Sequence, residues 1–346
     1  MDNLNNKYQK LIGNNKNNIS DIKFDKNLSN NSFSKYWLID TFCIFKSIND
    51  IFCLVYTNNN NSLICHNIID NIIIIEIKYC HCDYTTNFRY YFDKENNRDL
   101  IISISSEDNN IKLWNANNWE CLLNLKKINK YGWIYAACFL NYNNQNLIVA
   151  TNDNNIESGL ELIKIYNFNG IITKTINDSK DRTFFINTYH DNKTNKIYII
   201  KGSQGYIKSY DYNNNILYKK YNSRDSRAHF YIIIYTNSEN ILQLIDSSCD
   251  GNLRLWNFYS GELMQKIRIN ENGLREICEW DNDYLFIGCD DNTIKLFNLS
   301  HRIVIKSLEG HKKKVLSVKK IYIPKYGNCL ISQGAEFESI KLWRIN

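Results

Sequence analysis

The chain has 346 residues, 44% of them hydrophobic and 14% aromatic, which is enough for a sizeable core and excludes wholesale disorder. Its densest apolar stretch, 68–77, is short and broken by Asp70, Asn71 and Glu76, so no transmembrane helix is expected, and the polar, Asn-rich N-terminus lacks the apolar core of a signal peptide. The formal net charge of +6 is matched by residues 301–320 alone, where Arg302, Lys306, Lys312, Lys313, Lys314, Lys319 and Lys320 face one acid, Glu309.

Residues 1–35 hold few large apolar side chains and read as a disordered, Asn-rich tail, with the folded unit running from 36 to 346. From Tyr36-Trp37 onward, apolar runs of four to eight residues alternate with breaks rich in Asn, Asp and Ser, the pattern of an all-β chain. The 55 Asn stand against 13 Gly, so Asn is expected to fill many turns that need left-handed backbone. The 11 Cys are scattered inside apolar runs; with no secretory signal they read as reduced thiols of a cytoplasmic or nuclear protein.

One pattern recurs along the chain: an apolar run, a polar turn, and a second apolar run ending in an aromatic and a polar residue. It occupies 100–115, 146–167, 196–211, 241–257, 284–298 and 329–344, with a weaker copy at 50–67. From His66 to Trp343 the matching positions advance 277 residues in six intervals, an average of about 46. Each interval has room for two further strands, the first such as 121–128 or 263–269 and the second such as 133–140 or 315–323. The spacing therefore predicts seven units of four antiparallel strands. One such sheet cannot bury both apolar faces, whereas seven stacked radially can.

These residues resemble the WD-repeat β-propeller family. The likeness rests on Asp250-Gly251 ahead of Leu253-Arg254-Leu255-Trp256-Asn257, on Asp290-Asp291 ahead of Ile294-Lys295-Leu296-Phe297-Asn298, and on Gly310-His311 ahead of Val315. It covers about 36–346 and implies a seven-bladed propeller. The family's Trp-Asp ending becomes Trp-Asn, Phe-Asn or Trp-Arg here, and only Tyr210-Asp211 keeps the acid. Family blades are often locked by a His, Ser/Thr, Asp and Trp hydrogen-bond set. The resemblance assigns that role to His311, Ser332 and Trp343, with Glu338 for the turn acid, and to His81, Asp108 and Trp114. The other blades are expected to rely on apolar burial. The resemblance also implies a ring closed by an N-terminal strand, for which Tyr36 to Phe42 is the expected segment, paired with about 339–345.

No Gly-rich phosphate loop, nucleophile elbow or sialidase turn occurs; Ser248-Cys249-Asp250-Gly251 lacks the residue a sialidase turn has between Asp and Gly. No enzyme activity, catalytic residue or cofactor is expected. Cys65-His66 and Cys80-His81-Cys82 superficially suggest zinc, but adjacent ligands fit one tetrahedral ion poorly, and packing is the expected role.

Loops on a rigid scaffold are where recognition concentrates. The residues leading into the first strand of each unit are Arg89, Trp133, Tyr135, Arg182, Arg227, Arg275 and Lys314, an interface-like set suited to carboxylate or phosphate. The plain alternative is local pairing with Glu107, Asp290 and Asp291. The family likeness implies a protein-interaction scaffold docking acidic or phosphorylated peptides. A surface for phosphoinositides or anionic membranes is the alternative, supported by the Lys312–Lys314 run alone. Direct nucleic-acid binding is not expected, because the charge outside 301–320 sums to zero.

Overall fold

The computed structural model describes residues 22–29, 40–82, 85–105, 108–126, 134, 136–152, 161–178, 183–222, 228–281 and 283–345. Among them are 28 strands and no helix, arranged as seven four-stranded antiparallel sheets. Blades 1 to 6 occupy 42–77, 85–125, 137–178, 183–222, 229–268 and 274–308, and blade 7 combines 315–345 with 22–27. In blades 1 to 6 the strands lie side by side in chain order. The first strands of successive blades touch one another round the ring, and Val315–Ile323 of blade 7 returns to Phe42–Lys46 of blade 1. First strands are therefore innermost, around a central channel, and fourth strands form the rim.

Seven hydrophobic clusters hold the ring, one at each blade-to-blade junction. Between blades 2 and 3, for example, Leu100, Ile102, Ile104, Ile111 and Leu113 meet Ile134, Ala137, Ile148 and Ala150. Side chains alternate across a strand, so a sheet apolar on both faces needs a neighbour on each side. Asn performs the turn role expected of it: among the described residues, ten of the sixteen non-glycine positions with positive φ are Asn, including Asn61, Asn71, Asn195 and Asn240.

An N-terminal strand closes the ring, but it is not the 36–42 segment. Ile22–Asn27 pairs antiparallel with Ile340–Ile345, with Ile22 opposite Ile345 and Phe24 opposite Trp343. This strand lies inside the stretch read from sequence as tail. Phe42 opens the innermost strand of blade 1 instead, and 36–39 fall outside the described residues. The physical reason is exposure. A rim strand buries little, so alternation is enough for it: Ile22 is buried, and Phe24, 49% exposed, packs edge-on against Trp343 at 5.7 Å.

Candidate functional site

The starts of the innermost strands, the ends of the second strands and the starts of the third strands share one side of the ring, the upper face. Hydrogen-bond locks brace it. In blade 7, Trp343 Nε1 donates to Ser332 Oγ at 2.8 Å, and His311 Nε2 lies 2.7 Å from the same oxygen. His311 Nδ1 is 3.1 Å from Glu338 Oε1, and Glu338 also accepts the Lys312 and Lys313 backbone N–H groups at 2.7 and 3.0 Å. Blade 2 repeats this: Trp114 Nε1 and His81 Nε2 each lie 2.8 Å from Ser103 Oγ, with Asp108 Oδ2 3.2 Å from His81 Nδ1. Burial lowers both histidines, and the carboxylates beside them oppose it without reversing it. Neutral imidazole with Nδ1–H facing the acid then leaves Nε2 to accept from the serine hydroxyl.

The sequence expectation of bare apolar burial elsewhere fails in blade 5. There Asp246 takes the serine position, accepting from Trp256 Nε1 at 2.5 Å and facing His229 Nδ1 at 2.6 Å. Asp246 sits opposite Arg254 in register, as Ser332 sits opposite Lys341. Its separation from the tryptophan is within one residue of that of Ser332 and Ser103, but as a carboxylate it does not fit the Ser/Thr pattern of the lock. In blade 4 the same position holds Lys201, which with Lys208 contacts Asp178.

Of the seven residues proposed from sequence, three fall within the described residues. Arg275 and Lys314 come together. Arg275 Nε and Nη2 donate to the two carboxylate oxygens of Asp290 at 2.6 and 2.9 Å, and Lys314 Nζ reaches Asp290 Oδ2 at 3.1 Å. The Arg275 guanidinium lies over the Phe230 ring at 4.3 Å, and Phe184 packs edge-on to Phe230. Arg275 is buried, with Nη1 lacking a hydrogen-bond partner, while the Lys314 side chain is 38% exposed. Arg89 is elsewhere: it lies mid-strand in Thr85–Asp93, opposite Ile102, and pairs with Asp40. Trp133, Tyr135, Arg182 and Arg227 lie outside the described residues.

The basic run is dispersed by the fold. Lys312, Lys313 and Lys314 crown the upper face, where Lys313 pairs with Glu336 at 2.9 Å. Beside them a cavity of about 470 Å³ is lined by Lys312, Lys313, Phe337 and Lys341 among others, with Phe337 63% exposed. Lys319 turns into the ring against Asp40 and Glu276, and Lys320 contacts the Trp280 carbonyl. Arg302 lines a second cavity, of about 550 Å³, between blades 5 and 6 on the opposite face. Strand alternation is the cause, since neighbouring residues of one strand point apart.

The sequence reading missed Asp40, Glu276 and Phe230, and took Lys319 only as one member of the basic run. The one signal available was that Arg89 opposite Ile102 and Lys319 opposite Ile331 hold equivalent places in their first strands. The cysteine-histidine pairs are dispersed as well: Cys65 is buried in the core, Cys80 Sγ donates to Asn61 O at 3.2 Å, and His81 serves its lock. Among the described residues no group of three or more His, Cys, Asp or Glu is placed to hold a metal ion, and no helix is long and apolar enough to cross a membrane.

No protein-family model matches the chain. A stretch of 119 residues, 34% of the chain, is 23% identical to the U3 small nucleolar RNA-associated protein 21 homolog of Schizosaccharomyces pombe. The match covers only 13% of that protein. The sequence repeat, the seven-bladed ring and the His-Ser-Trp locks agree with one another.

Proposed function

We propose that this chain, a seven-bladed WD-repeat β-propeller, is a non-catalytic interaction scaffold that docks acidic or phosphorylated segments of other proteins on its upper face, within a larger nuclear or cytoplasmic assembly. One observation carries the reading: the Arg275–Asp290–Lys314 cluster, an arginine fork and a lysine gathered on one carboxylate over an aromatic ring. A site with this chemistry suits a carboxylate or phosphate. Exposed Lys312 and Lys313 precede Lys314 in the chain and, with the exposed Phe337 ring, line the neighbouring cavity. Trp133, Tyr135, Arg182 and Arg227 join the face as part of the same proposal.

The alternative of an anionic membrane surface rests on Lys312–Lys314. Lys313 faces Glu336, and Lys319 and Lys320 of the same segment turn to Asp40, Glu276 and the Trp280 carbonyl, so no broad basic surface accompanies the run. The likeness to a nucleolar RNA-associated protein supports placement in an assembly.

The test is retention of acidic and phosphorylated peptides on the immobilised chain. Wild type is compared with Lys312→Glu/Lys314→Glu, with thermal unfolding as a folding control. Salt-sensitive retention lost in the variant is expected. Retention that survives charge reversal, or binding confined to anionic vesicles, overturns the reading.

A further inference from the structure

The ring is fastened twice. Outside, Ile22–Asn27 pairs with blade 7. Inside, the two residues that lead into blade 1 form a polar clasp. Thr41 Oγ1 donates to Gln333 Oε1 at 2.6 Å, and its backbone N–H reaches Ser317 Oγ at 3.1 Å, both in blade 7. Asp40, fully buried with a left-handed φ of 53°, accepts the Phe88 N–H of blade 2 at its carbonyl, 2.8 Å. Its carboxylate takes Arg89 of blade 2 on one oxygen and Lys319 Nζ of blade 7, at 2.6 Å, on the other. Lys319 Nζ also reaches Glu276 Oε1 of blade 6 at 2.5 Å. Four ionisable groups thus run from blade 6 through blade 7 and the closing connection to blade 2.

Lys319 is shared between two carboxylates. Glu276 is 1% exposed, and its Oε2 has no hydrogen-bond partner. The groups around it are Lys319 and Ser317 of blade 7, Asp40 ahead of blade 1, Arg89 of blade 2, Tyr231 of blade 5, and Arg275 and Cys278 on its own strand. A carboxyl group in this setting is neutral or charged at a large difference in cost. We propose that the clasp is a proton-responsive joint. A proton on Glu276 leaves Lys319 to Asp40 and tightens ring closure; losing it sets two carboxylates competing for one ammonium in a buried place and loosens the seam.

The response falls near neutral pH. Burial pushes Glu276 up to about 7 from 4.5, with Lys319 opposing and Asp40 adding to it. Asp40 is buried too, but Arg89 and Lys319 hold it below the usual carboxylate range, so it stays charged throughout. The folded state keeps the Glu276 proton in a window where the unfolded chain has released it. Its stabilisation is complete below about 4.5 and is lost as pH rises through about 7. The buried His66, His81 and His311 work in the opposite sense: their lowered values make stability rise with pH through their ordinary 6.5. Removal of the carboxyl therefore has to be compared with wild type.

Hydrogen exchange on the full chain tests this, corrected for intrinsic rates, in wild type and Glu276→Gln. Between about pH 6 and about pH 8, linkage gives a loss of protection of about tenfold in wild type at 42–46 and 340–345 relative to blades 3 and 4. The variant should show none of that differential loss. Parallel loss in both proteins, or loss spread evenly over all blades, overturns the proposal. If Glu276→Gln does not fold, the carbon-13 shift of the Glu276 carboxyl in wild type decides. A midpoint near 7 supports the joint, and one near 4.5 overturns it.

Discussion

Replacing Ser332 with Ala removes one oxygen from the centre of the blade 7 lock. That oxygen accepts from Trp343 Nε1 and faces His311 Nε2. Ser332 is fully buried, Trp343 is 3% exposed and His311 8%, so water does not replace it freely. Two buried polar groups are left without a partner at about 1–3 kcal/mol each, so Ser332→Ala should cost about 2–6 kcal/mol. The lock in blade 2 has the same geometry at Ser103, and blade 6 shows the alternative. There Ile287, opposite Lys295, takes the serine position and Phe297 the tryptophan position, with no polar group to satisfy. Trp343→Phe should therefore be cheaper by about 1–2 kcal/mol in the Ser332→Ala background than in wild type, because the orphaned N–H is then gone. Denaturant unfolding followed by circular dichroism, with the slope checked for constancy, measures all four proteins. A Ser332→Ala cost within about 0.5 kcal/mol of zero, or strict additivity of the two substitutions, would refute the reasoning.

Two further outcomes follow from the ring. A chain beginning at residue 36 keeps the segment first expected to close the propeller but lacks Ile22–Asn27. It should aggregate or lose its cooperative transition, because strand 340–345 becomes an open edge and Trp343 loses Phe24; a monomer unfolding at the wild-type midpoint on size exclusion and melting would contradict this. In blade 5, Asp246→Ala should cost about 3–5 kcal/mol by stranding buried His229 and Trp256, and Asp246→Asn, which keeps an acceptor, appreciably less. Equal costs in chemical denaturation would mean that the carboxylate does not hold the blade.

How far the sequence reaches depends on how local the signal is. The seven second- and third-strand pairs, from 50–67 to 329–344, were readable because apolar alternation and turn residues are properties of short stretches. The His311 and His81 locks were readable because their members recur at near-constant spacing from the aromatic. The Asp246 lock was not, because another residue type fills the same place. The closing strand was misplaced because Ile22–Asn27 carries three charged side chains and buries little, so its identity lies in its partner rather than in its own pattern.

The chain by itself determined that it would be all-β, repeated sevenfold and turned largely on asparagine, since strand period and backbone tolerance act over a few residues. Only the tertiary structure decided where its charges go. Residues 301–320 read as one basic patch, yet closing the ring sends Lys314 to Asp290 on the upper face, Lys319 to Asp40 and Glu276 in the interior, and Lys320 to the Trp280 carbonyl. Asp40 and Lys319 are 279 residues apart in the chain and 2.6 Å apart at their charged atoms. No local pattern encodes that distance, because it exists only once the last blade has met the first.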